Sequence, residues 1–200
     1  MAAGRPRQFD LDDVLCRAER LFWTNGFEGT TMAQLSEATG LQAGSIYAAF
    51  GSKAGLFEHV VDHYQQQVGR GYVEDALAAP SVHELIRRWL DGVVRFTTGA
   101  DTPSGCLLVQ SALVTGDGAE RTRDLIRARH QASAAAVTER MHRAQESGDL
   151  PAHVDPALAV RFLTTVAEGL AVEAAMGTSR AELLALVDLV TQRLPWETEG

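Results

Sequence analysis

The chain has 200 residues, 46% of them hydrophobic, and carries 18 Lys and Arg against 26 Asp and Glu, a formal charge of −8. That length suits one large or two modest domains with a real core. The acidic balance excludes a protein coated in positive charge, so any polyanion must meet a small local footprint. No apolar run approaches the roughly 20 residues of a membrane span.

At the start, "GRPRQF" places Arg5 and Arg7 ahead of any periodic segment, with no apolar stretch behind them, so it does not read as a signal peptide. The first helix is expected from Asp10, a good N-cap, with Asp12 and Asp13 favourably placed against its dipole. Val14, Ala18, Leu21 and Phe22 share one face of it, and Gly26 in "TNGF" ends it. Thr31 followed by Gln34 reads as a capping box, and Gly40 closes that second, short helix. "LQAGSIYAAF" makes a third, also short. Ser52 then caps a fourth whose first turn holds Lys53, the only lysine in the chain. A cation there opposes the helix dipole, and an outside anion lying on the exposed amides would relieve the conflict.

Longer helices follow over about 53–78, 82–98, 105–115, 119–147, 156–176 and 180–193, broken by Pro80, "TGADTPSG", "TGDG", "SGDLPAHVDP" and "MGTS". No segment alternates with the period of a strand, so the fold class is all-α. The organisation expected is a three-helix unit over residues 1–55 and a larger helical domain over 56–200, with the fourth helix beginning in one and ending in the other. Leu35 and Ala38 face inward from the second helix, and Ile46 and Phe50 anchor the third. Two short helices joined by a glycine turn suit a helix-turn-helix, and an ordinary αα-corner fits the same spacing equally well.

The residues add to the spacing. "FEGTTMAQLSEATGLQAGSIYAAFGSKAGLFEHVV" resembles the N-terminal signature of the TetR family of bacterial transcriptional regulators, in detail from Asp10 to Val61. The later helices match that family's ligand-binding and dimerisation domain in number and order. The resemblance implies a dimeric regulator, expected to be a repressor, that binds double-stranded operator DNA and answers to an unidentified small-molecule effector. Carried over, Thr31, Ser45, Tyr47 and Lys53 touch phosphates or sugars, which fixes register without reading sequence. Thr31 in a cap and Ser45 bonded to its own backbone are the plain structural alternatives. Base reading falls to Gln42, Ala43 and Gly44, with Met32 reaching in from the preceding helix; glutamine can pair with adenine and an alanine methyl can meet thymine. Where the family often carries a larger residue before the phenylalanine, this chain has Ala48 and Ala49, which implies few direct base contacts. Arg5 and Arg7 suit an arm in the adjacent minor groove, and equally a solubilising tail. Residues 1–55 hold five Lys and Arg against six Asp and Glu, and the rest hold thirteen against twenty, so charges of −1 and −7 make up the total.

In the larger domain the last two helices are apolar on more than one side, so one side can meet a twofold copy. Phe162, Val166 and Leu170, with Leu183, Val187 and Val190, are the expected dimer contacts, while Leu184 and Leu189 lie off that stripe. Trp89, Phe96, Cys106, Gln110 and Met141 are the candidate effector contacts, each also readable as plain core. Cys106 at a helix start admits redox or electrophile sensing, though a small buried hydrophobe describes it better. His59 and His63 at i, i+4 lack a third ligand, so no metal is expected. No nucleophile motif, phosphate-cradling loop or paired carboxylates point to an enzyme or a cofactor, and a cytoplasmic location is expected.

Overall fold

The computed structural model describes residues 10–100, 102–112, 119–194 and Trp196, and Arg5 and Arg7 fall outside that range. Among the described residues the regular structure is all helical.

The first helix, α1 (Leu11–Gly29), starts where the Asp10 carboxylate accepts the Asp12 amide at 3.0 Å, and its backbone leaves helical geometry at Gly26, φ 71°. The next, α2 (Met32–Thr39), opens on the Thr31–Gln34 capping box and stops at Gly40, φ 70°, a left-handed position that suits glycine. Then come α3 (Ala43–Phe50) and α4 (Lys53–Val68). Where the sequence pattern suggests one helix to residue 78, the chain widens to a π-helical turn over Gly69–Val73 before α5 (Glu74–Leu77). Gly69 and Gly71 lower the loss, since glycine holds the α-helix weakly. The remainder is α6 (Val82–Thr97), α7 (Leu107–Ala112), α8 (Ala119–Glu146), α9 (Pro156–Ala175) and α10 (Arg180–Gln192). Ser81, Asp155 and Ser179 cap α6, α9 and α10 with side-chain oxygens.

Two apolar clusters result. One gathers Phe22, Leu35, Ile46, Phe50 and Phe57 and continues to Leu107 and Ile126. The other joins α6, α8, α9 and α10 around Leu90, Met141, Leu163 and Val187. Helix α4 gives Phe57, Val60, Val61 and Tyr64 to the first cluster, and its continuation gives Tyr72 and Leu77 to the second. Arg129 on α8 also pairs with Asp62 on α4.

The dimer stripe expected from the sequence is corrected. Leu170, Leu183 and Val187 are buried within the chain's own core, and Val166 and Val190 pack against it; only Phe162 is exposed. The side left open on α9 carries Leu158, Phe162, Val172 and Met176, and that on α10 carries Leu186 and Leu189. On α10 the expected stripe is therefore the side that faces the chain's own core. Leucines at 183 and 186 differ only in which side the α6 contact claims, and periodicity alone cannot decide that.

Gly55 sets the angle between α3 and α4. A Cβ at residue 55 would stand 2.0 Å from the Phe50 carbonyl oxygen, which is backbone and cannot swing away. Gly55→Ala is expected to destabilise the protein by roughly 1–3 kcal/mol, the usual loss for forcing atoms into a packed site. Thermal unfolding followed by circular dichroism reads it as a lowered Tm.

Candidate nucleic-acid interface and interior cavity

Helix α3 has one buried side and one open side. Ile46 is fully enclosed and Phe50 nearly so, both within the first apolar cluster, with α3 packed on α2 and α4. Gln42, Gly44, Ser45, Ala48 and Ala49 are exposed, Ala43 is half-buried, and Tyr47 keeps 49% of its surface. Gln42 is the N-cap by its backbone only: its carbonyl accepts the Ser45 and Ile46 amides, at 2.8 and 3.2 Å, while its side chain makes no capping bond. The amide group of Gln42 is thus left at the mouth of the helix. A Cβ at Gly44 would meet nothing within 4 Å, so the backbone there is open to close approach. Met32 is half-buried and packs against the first cluster.

Thr31 is exposed, with its hydroxyl 2.9 Å from the Gln34 side-chain oxygen and accepting the Gln34 amide at 3.3 Å. Capping is therefore its role within the chain, and the residue stays exposed.

Lys53 answers its electrostatic puzzle differently from the sequence reading. Its Nζ donates to the carbonyls of Phe27 and Thr30 at 2.9 and 3.0 Å and lies 4.4 Å from the centre of the Phe27 ring. Those carbonyls belong to the end of α1, where a helix dipole is negative and welcomes a cation. The ammonium has three N–H groups and the chain takes two. The partners lie 23 and 26 residues away, so no local pattern announces them.

The larger domain contains a cavity of about 220 Å³ whose wall includes Trp89, Phe96 and Cys106 of the expected effector contacts. The other two lie elsewhere: Met141 is fully buried in the second cluster, and the Gln110 amide donates to the Ser104 carbonyl at 3.3 Å. The Tyr64 hydroxyl donates to Cys106 Sγ at 3.3 Å. Burial pushes the Cys106 thiol above its ordinary value despite that donor, which favours the neutral thiol over the thiolate. His59 Nδ1 lies 2.8 Å from the Gly55 carbonyl, and His63 faces Glu19 across α1 and α4, so the two histidines point to different partners.

Residues 14–60 match the family model for bacterial regulatory proteins of the tetR family, and residues 80–187 match the tetracyclin repressor-like C-terminal domain. The chain belongs to the TetR family. Among TetR-family structures, the regulator CifR, solved with 26-base-pair operator DNA, is 41% identical, with a TM-score of 0.89 over 96% of this chain and 100% of that one. The repressor ComR of Escherichia coli is 28% identical over 96% of this chain and 92% of its own. FadR of Bacillus subtilis, solved with stearoyl-CoA, shares the TetR fold at 15% identity, with a TM-score of 0.76 over 95% of this chain and 100% of that one. No helix among the described residues is long and apolar enough to cross a membrane.

Lys53→Ala removes two charge-assisted bonds to α1, so it is expected to lower stability by about 1–2 kcal/mol. A melt run on the variant measures this; an unchanged Tm would show that the two bonds contribute nothing.

Proposed function

We propose that the protein is a ligand-responsive transcriptional repressor that binds a palindromic operator as a homodimer, in the cytoplasm, and is released by a small molecule. The observation that carries this is the open side of α3, where Gln42, Gly44, Ser45 and Tyr47 project from a helix held by Ile46 and Phe50. CifR's complex with operator DNA supports the same use of this domain. In this reading Ser45, Tyr47 and Thr31 hold the phosphate backbone, and the third N–H of Lys53 reaches a phosphate while the other two keep α1 in place. Gln42 pairs with a base edge, and Ala43 and Gly44 let the groove floor come close. Met32 lines the same edge. Arg5 and Arg7 reach the adjacent minor groove.

The domain boundary near residue 55 is functional in this account. Helix α4 lies in the first apolar cluster and its continuation, with Tyr72 and Leu77, packs on the second, so a ligand that prefers one position of this segment shifts the two α3 helices relative to the operator. The effector occupies the cavity lined by Trp89, Phe96 and Cys106. Dimerisation uses the open sides of α9 and α10, where Leu158 keeps 64% of its surface and Leu189 keeps 56%. The protein is a binding regulator with no enzymatic step and no cofactor.

Fluorescence anisotropy on the DNA upstream of the gene, repeated across salt concentrations, tests the DNA role. Gln42→Ala is expected to relax the preference at one base pair per half-site by about 1–3 kcal/mol with the salt slope unchanged. A uniform loss over all sequences would remove Gln42 from base reading. The dimer is tested by sedimentation: Leu189→Glu gives a folded monomer with poor operator affinity, whereas Val187→Glu, which buries a charge, fails to fold. A folded dimeric Leu189→Glu protein would contradict the assignment.

A further inference from the structure

Most polar groups on the cavity wall are already engaged. The Tyr64 hydroxyl donates to Cys106, the Thr97 hydroxyl to the Val93 carbonyl at 2.8 Å, and the Gln65 amide to Ser133 Oγ at 3.3 Å. Tyr72 is not, and neither are the Trp89 indole N–H and the Thr164 hydroxyl. The Tyr72 hydroxyl makes no hydrogen bond among the described residues, although burial, and then the nearby Cys106, push the phenol well above the ordinary value. A phenol shifted in that direction is a proton donor throughout the neutral range. Tyr72 is half-buried, and an accessible hydroxyl on a cavity wall with no partner in its own chain is a donor that a bound molecule's acceptor can take.

Two features of the backbone bring this side chain to the wall. Tyr72 sits in the π-helical turn Gly69–Val73, a distortion that recurs at functional sites. Its ring lies against α6 at Gly92, where a Cβ would stand 2.3 Å from the Tyr72 Cβ and 2.5 Å from its Cγ. No other side chain at residue 92 leaves that room.

The wall also restricts charge and size. It has no Lys or Arg, and its one carboxylate, Glu168, is 43% exposed and faces His130 at 3.4 Å, so that charge lies at the wet mouth. A cavity without interior counter-charge desolvates an ion at a loss. Thr164 also has a hydroxyl without a partner, but it lines the outer groove as well and so stands nearer the mouth. Since an apolar cavity of ~150 Å³ takes a benzene, ~220 Å³ suits roughly nine non-hydrogen atoms.

We propose that this cavity takes a small, neutral, largely apolar molecule bearing one hydrogen-bond acceptor, and that the Tyr72 hydroxyl donates to that acceptor. The proposal rests on the reading that this domain takes an effector, and names its class.

Isothermal titration of the full chain with acetophenone, cumene, benzoate and phenyltrimethylammonium, four probes of similar size, tests it. Acetophenone is expected to bind about five- to tenfold more tightly than cumene, one hydrogen bond's worth, with both ions weaker than either. Tyr72→Phe is expected to erase the preference for acetophenone while leaving cumene's affinity unchanged. Tighter binding of benzoate or of the ammonium, an unaltered preference in Tyr72→Phe, or no binding of either neutral probe overturns the proposal. Operator binding by the same preparation separates the two claims: if it persists while the neutral probes fail, only the ligand class is wrong; if it is absent, the repressor reading falls.

Discussion

Ile46 and Phe50 hold one side of an eight-residue helix in the core, and the use of the other side depends on them. Helices shorter than about 12–15 residues are marginal alone in water, so α3 keeps its shape only because it is packed. Its direction comes from its neighbours: Gly55 brings α4 against the Phe50 carbonyl, and Arg17 on α1 reaches the Ala38 carbonyl at the end of α2, at 3.3 Å. Lys53 adds a tie from α4 to the end of α1. Open polar groups on a rigidly aimed helix are what DNA recognition needs, and a weakly charged domain can then suffice because its contacts are preorganised.

The same economy runs through α4. One end packs beside the recognition helix, and the other passes through the π-helical turn into the wall of the cavity. Tyr72 therefore stands on the turn that continues α4, a helix packed against α3. A molecule that contacts Tyr72 needs no separate relay to influence DNA binding, only a different affinity for two positions of α4.

Much of this was legible in the sequence. Caps at Asp10, Thr31 and Ser52 and the glycine turns at Gly26 and Gly40 use local chemistry, and local chemistry is what a sequence displays. Ile46 and Phe50 follow from helical spacing. What was hidden depends on distant partners. Lys53 finds its carbonyls in a segment more than 20 residues back. Leu183 and Leu186 look alike until α6 buries the first and not the second. Met141 reads as a cavity contact until its neighbours in the second cluster close over it. The π-helical turn did have a local signal, the paired Gly69 and Gly71 inside an otherwise helical pattern, which a reading by hydrophobic period passes over.

The central claim is that two copies grip adjacent turns of one duplex through their α3 helices. Hydroxyl-radical footprinting of the operator tests it most directly. The account requires two protected patches on the same face of the DNA, related by a twofold axis and centred about one helical turn, ~10 base pairs, or a whole multiple of it apart. A single patch, or protection that runs evenly around the duplex, would contradict it.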